Sequence, residues 1–137
     1  MNFLHILLAA VVAFVAYMGL GGIFFAALPT MRNEFMKYPA VYRDQAGIKK
    51  VMPIGMIFMF ISMLALSIIY AMVYREGYGI AEGAHFGGLI GIFVVGAFVV
   101  HNYVNLKIGG KLTVQQSIAY FLEWLVVGIV ISLIYKP

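Results

Sequence analysis

Apolar residues along this chain neither alternate nor keep to one helical stripe. They gather into long runs divided by shorter polar segments. A helix needs about 20 mostly apolar residues to cross a bilayer, and the runs at 3–28, 51–74, 84–106 and 114–135 all reach that length. The pattern predicts four membrane helices, with Pro53 in the first turn of the second, where proline is tolerated. The first run lacks a basic leader and is longer than a secretory signal core, so it reads as a retained helix. The expected fold is all-α, a four-helix transmembrane bundle forming one domain over 1–137.

Composition strengthens this picture. Of the 137 residues, 64% are hydrophobic and 10% charged, with mean hydropathy +1.02; soluble domains are roughly half apolar and a quarter charged. There is no cysteine, which removes disulfides, thiol catalysis and thiolate metal sites. The net charge of +4 forms no basic face for nucleic acid. Instead the cations flank the apolar runs. Arg32, Lys37, Arg43, Lys49 and Lys50 fall in the link 29–50, and Lys107 and Lys111 in the link 107–113. Only Arg75 and Lys136 lie on the other side. The positive-inside rule puts both of those links in the cytoplasm and both termini on the non-cytoplasmic side.

The link 29–50 is too long for a simple turn. Met31, Phe35, Tyr38 and Tyr42 recur in it every three or four residues, with basic residues between. Two readings stand: a short amphipathic helix on the leaflet, broken by Pro39, or an ordered loop with interfacial aromatics.

Within the runs, small residues recur at helical spacing. Gly83, Gly87 and Gly91 form one face of helix three and Ala84 with Gly88 its neighbour; Ala9, Ala13 and Ala16 form a similar face on helix one. In lipid such faces let backbones approach closely, within the bundle or with another chain. Helix two carries Met52, Met56, Met59 and Met63, followed by Ser67, Tyr70 and Tyr74, all on one face. Methionine usually fills irregular packing space. The less favoured reading is a thioether ladder for Cu(I).

The most informative polar residue is Glu123, halfway along an otherwise apolar run. A carboxylate at the bilayer centre costs about 2.5–3.5 kcal/mol on insertion scales for the comparable Asp, and such residues face a protein interior. Burial disfavours the charged form, so a neutral Glu123 is expected near neutral pH. Gln116, Tyr120 and Glu123 form one stripe on helix four, while His101 and Asn105 share a face of helix three. At 1.5 Å per residue, these residues step from the cytoplasmic end to the membrane centre. Tyr17 on helix one and Ser62 on helix two reach the level of Glu123 by the same count. Trp124, the only tryptophan, is unusually deep for a residue that favours interfaces.

No nucleophile–base pair, phosphate loop or zinc helix motif is visible, and no internal repeat suggests an inverted-repeat transporter. His5 and His85 fall near helix ends and read as interfacial. A haem site is the least favoured option, because His85 and His101 stand too far apart on one helix to share an iron. The stretch from Gly87 to Val130 contains the glycines Gly87 to Gly96, Asn102 and Asn105, the pair Leu106–Lys107, and then Glu123 with Trp124. It resembles the second half of small bacterial four-helix membrane proteins classed as domains of unknown function. The resemblance implies four helices and a bacterial inner membrane, and carries no activity.

Two functions are expected from these residues. One is a non-enzymatic protein that works through helix association, as a homo-oligomer or as part of a larger membrane complex. The other is a small proton- or cation-linked transporter or ligand-binding protein centred on Glu123. No cofactor is expected beyond those lesser copper and haem options.

Overall fold

The computed structural model describes residues 2–77 and 79–136. Its helices are α1 (Phe3–Ala27), α2 (Pro29–Met36), α3 (Gln45–Val73), α4 (Ile80–Asn105) and α5 (Gly110–Ile134), with no strand among the described residues. Four of them, all except α2, are long and apolar enough to cross a membrane. The all-α bundle expected from the apolar runs is therefore the observed architecture.

Helix ends differ from the expected bounds where polar residues take part in the helix. The Asp44 side chain accepts a hydrogen bond from the Gly47 amide at 2.7 Å, an N-cap typically worth about 1 kcal/mol. α3 therefore starts before the apolar run, at Gln45. Pro53 consequently lies two turns inside the helix rather than in its first turn. α5 likewise starts at Gly110, ahead of residue 114. Between α3 and α4, Gly77 adopts φ +87°, a left-handed conformation that glycine takes at no steric cost.

α1 and α5 run through the middle of the bundle. α3 packs on α1, α4 packs on α5, and a ring contact between Tyr70 and Phe86 at 5.3 Å joins α3 to α4. The main core holds Ile6, Ala9, Ala10, Ala13, Met63, Tyr70, Trp124, Val127, Ile131 and Tyr135. Ala16 is half-buried beside it. The α4–α5 crossing is closest of all. Gly83, Gly87 and Gly91 are buried, and a Cβ on any of them would press on the α5 backbone near Phe121, Trp124 and Gly128. Gly88 faces a looser contact with Leu125.

The first link is a short helix, α2, followed by an ordered non-helical stretch over 37–44. α2 ends at Met36, before Pro39, and its apolar side packs on the bundle. Met31 is buried with Ile108, Leu112 and Ala119, and Phe24, Phe25, Phe35, Tyr38 and Tyr42 pack around them. The Gly109 amide donates to the Tyr38 hydroxyl at 2.9 Å. The face that the sequence offered to the leaflet is thus taken by protein.

Glu34 fixes this arrangement, although nothing in the sequence pattern marks it out. It is only 4% exposed, and its Oε1 accepts from Lys37 at 2.7 Å and Lys111 at 2.9 Å. The bond from Lys37, then that from Lys111, holds its carboxyl below the usual carboxylate range. A carboxyl with a lowered folded value stabilises above its unfolded value, near pH 4.3, and that contribution is lost as pH falls through the lowered value. Glu34→Gln is accordingly expected to speed amide hydrogen exchange across residues 29–43 at neutral pH. The wild-type link should begin to loosen only below about pH 4. Equal exchange in the two proteins at neutral pH would show that the clamp does not hold the link.

Candidate functional site

Glu123 projects from the middle of α5 towards α1 and has no exposed surface. Gly21 admits it: a Cβ there would stand 3.3 Å from Glu123 Oε1. Tyr17, one turn earlier on α1, interacts with the carboxyl, and Tyr120, one turn earlier on α5, interacts with both Glu123 and Tyr17. Neither carboxyl oxygen has a partner of acceptable hydrogen-bond geometry. The Trp124 indole packs tilted at 45° against the Tyr17 ring, centroids 5.2 Å apart, and its Nε1 is buried without an acceptor. The only ion pairs among the described residues are those of Glu34, so Glu123 has no counter-charge within reach.

Two widened turns flank this level. The last six residues of α1, Gly22–Ala27, and a segment of α4, Val95–Val100, are π-helical. Such segments carry i→i+5 bonds and often occur at functional sites. Each presents one ring to Tyr120: Phe25 at 5.1 Å and Phe98 at 6.4 Å. The three rings form a layer between Glu123 and the end of the bundle that carries α2. A second aromatic layer lies towards the chain termini. There Tyr74 meets Tyr135 at 5.4 Å, and Tyr70 meets Tyr135 and Tyr74, both at 6.2 Å. The Glu123 carboxyl lies between the two layers.

The structure brings Tyr17, Tyr120 and Glu123 together as expected, but not the rest of the stepped path. His101 and Asn105 are exposed, and Asn105 Nδ2 donates to the His101 carbonyl of its own helix at 3.0 Å. The cause is the widened turn just before them. One extra residue in a turn rotates everything after it by about 100°. Val99 is buried where a regular helix would have buried Phe98, and His101 is carried outward. Ser62 is exposed too, and donates to the Phe58 carbonyl at 2.9 Å. Its neighbour Met63 holds the inward position at that level. Gln116 is buried, but its Nε2 points to the Tyr42 hydroxyl, at 3.5 Å, rather than to α4.

The methionine stripe does not share one environment. Met63 is buried and Met59 half-buried, whereas Met52 and Met56 are exposed, because only the later half of α3 packs on the bundle. His5 Nδ1 contacts the Lys136 carbonyl, and His85 is exposed. Among the described residues, no three His, Asp or Glu side chains converge to hold a metal ion.

Depth counting missed Gly21, Ser67 and the two phenylalanines. Ser67 was within reach: it lies four residues after the buried Met63, and its hydroxyl oxygen is buried without a partner. Comparison of the chain with family models, with curated proteins and with solved structures found no match in any of the three.

Proposed function

We propose that this chain is a small, non-enzymatic integral membrane protein that takes up and releases a proton at Glu123. The observation that carries the reading is a carboxyl with no exposed surface and no counter-charge within reach, inside a single chain. A group in that state changes protonation more readily than it tolerates an unpaired charge. Close packing at Gly21 favours a proton over a larger cation. The charge pattern supports an orientation with both termini outside the cytoplasm.

The association reading draws less support from these contacts. Its residues, Gly83, Gly87, Gly91, Ala9, Ala13, Glu123 and Trp124, are all occupied within the chain. It keeps one test: a Glu123→Gln variant that changes only oligomer size would restore it.

The proton reading is tested by infrared difference spectroscopy of the purified protein between about pH 5 and 9, a range that covers buried carboxyls. A carboxyl band should appear and vanish with pH in the wild type and be missing in Glu123→Gln. If the two proteins give the same spectra throughout, Glu123 is not a proton site.

A further inference from the structure

The outer side of α5 carries a ridge of exposed residues, Val114, Ile118 and Leu122, four apart and so on one face. A groove runs along each side of Ile118. On the α4 side it has a volume of about 460 Å³ and lies between Ile92, Val95 and Gly96 of α4 and Phe121 and Leu122 of α5. On the other side a groove of about 190 Å³ lies between Phe24 and Leu28 of α1, Thr30 of α2, and Gln115 and Ala119 of α5. Each borders a π-helical segment: Val95 and Gly96 begin one, and Phe24 belongs to the other. Gly96 leaves much of the room, since a Cβ there would meet nothing within 4 Å. Apart from Thr30, Gln115 and Ser117 the walls are apolar, and the Ser117 hydroxyl donates to the Thr113 carbonyl of its own helix. An ordered water needs about two to four polar partners, so these grooves are shaped for hydrocarbon.

Both grooves lead to charge at the end that carries α2. Lys111 comes one turn before Gln115 on α5, and Glu34 one turn after Thr30 on α2. Lys37 and Lys111 both donate to Glu34 Oε1, at 2.7 and 2.9 Å, yet their side chains stay 58% and 69% exposed. An ammonium has three donors, so each lysine has hydrogens left over. Lys107 is exposed four residues before Lys111 and lies in no ion pair among the described residues. Three cations against one carboxylate leave this rim positive. From Lys111 to Leu122 the axis of α5 rises about 16 Å, close to half of a hydrocarbon core about 30 Å thick. Rim and grooves together have the length of one leaflet.

We propose that this face seats an anionic phospholipid, one acyl chain on each side of Ile118 and the phosphodiester on Lys37, Lys107 and Lys111. Two chains joined at one headgroup match two grooves that flank one side chain and run towards one cationic rim. Thr30 and Gln115 stand between rim and hydrocarbon, at the level of the glycerol esters. A basic pocket beside membrane helices favours acidic headgroups by about 1 kcal/mol per cation, roughly fivefold in affinity. A second copy of this chain fits the face less well. Lying in the bilayer in the same orientation, it would bring its own positive rim to the same level. The seat does not involve Glu123 and stands or falls apart from the proton site.

The test is native mass spectrometry of the full chain, delipidated in detergent and titrated with dioleoyl phosphatidylglycerol or dioleoyl phosphatidylcholine, whose chains are the same. The first phosphatidylglycerol should bind about tenfold more tightly than phosphatidylcholine. Lys37→Gln and Lys107→Gln should each weaken phosphatidylglycerol about fivefold and leave phosphatidylcholine unchanged; Lys111 still pairs with Glu34 in both, so the fold is retained. Gly96→Leu fills the α4-side groove and should weaken both lipids about tenfold, the equivalent of about two methylenes no longer buried. Equal affinity for the two lipids would overturn the proposal, as would lysine variants that bind phosphatidylglycerol like the wild type. So would a Gly96→Leu protein with unchanged affinity, or a wild-type oligomer that takes up no lipid, which would give the face to a second copy.

Discussion

Gly128→Ala is expected to lower the unfolding free energy of the detergent-solubilised protein by about 1–3 kcal/mol, the usual cost of overpacking. The added Cβ would be driven into the Gly83 carbonyl oxygen and the Gly87 amide nitrogen and Cα across the α4–α5 crossing. These are backbone atoms, so no rotamer change relieves the clash. The two helices must separate along the crossing. In lipid there is no hydrophobic gain to compensate, because close contact between helices is itself the driving force. The contact is reciprocal: a Cβ at Gly87 would stand 2.8 Å from the Leu125 carbonyl and 3.0 Å from Gly128 Cα. Gly19→Ala provides the control, since nothing lies within 4 Å of its Cβ. That substitution should be neutral or stabilising by up to about 1 kcal/mol, because alanine is the better helix former. Unfolding in a denaturing detergent, followed by circular dichroism, compares the two. If Gly128→Ala is no less stable than Gly19→Ala, the helices do not cross closely at this point.

The α4–α5 crossing was readable in the sequence, and its legibility has a physical cause. Gly83, Gly87 and Gly91 repeat every four residues, so they share a face wherever the helix is regular. The same periodicity failed a few residues later. His101 and Asn105 share a face with each other, but the π-helical Val95–Val100 segment turns that face away from α5. Nothing in a run of valine, glycine, alanine and phenylalanine announces an extra residue in a turn. Depth along the axis was reliable: Tyr17, Tyr120 and Glu123 do lie near one another. Azimuth was not, and Ser62 shows why. It sits at the right depth, but the inward position belongs to its neighbour Met63, which the buried i+4 pair Met63 and Ser67 would have indicated. Glu34 was hidden for a different reason. A carboxylate among five cations in a polar link reads as solvated, and its partner Lys111 is 77 residues away (111 minus 34).

Glu123→Met is expected to stabilise the bundle by about 1–3 kcal/mol, as apolar replacement of buried ionisable groups often does, while abolishing proton uptake. Methionine has nearly the same length and fills irregular space well. It removes two buried oxygens whose desolvation opposes folding. No lysine, arginine or histidine is left unpaired by the change, because the ion pairs among the described residues belong to Glu34. A structural role predicts the opposite sign. Were Glu123 a polar link between helices, its loss would cost about 0.6–2 kcal/mol and Glu123→Gln would recover part of that. Denaturant unfolding and infrared titration on the same preparations separate these cases. A variant that is more stable and no longer titrates means that the chain keeps a carboxylic acid in its core at the expense of stability. Local rules are broken in that way mainly where function requires it. A variant that is less stable, with glutamine restoring it, would assign Glu123 to helix contact and withdraw the proton site.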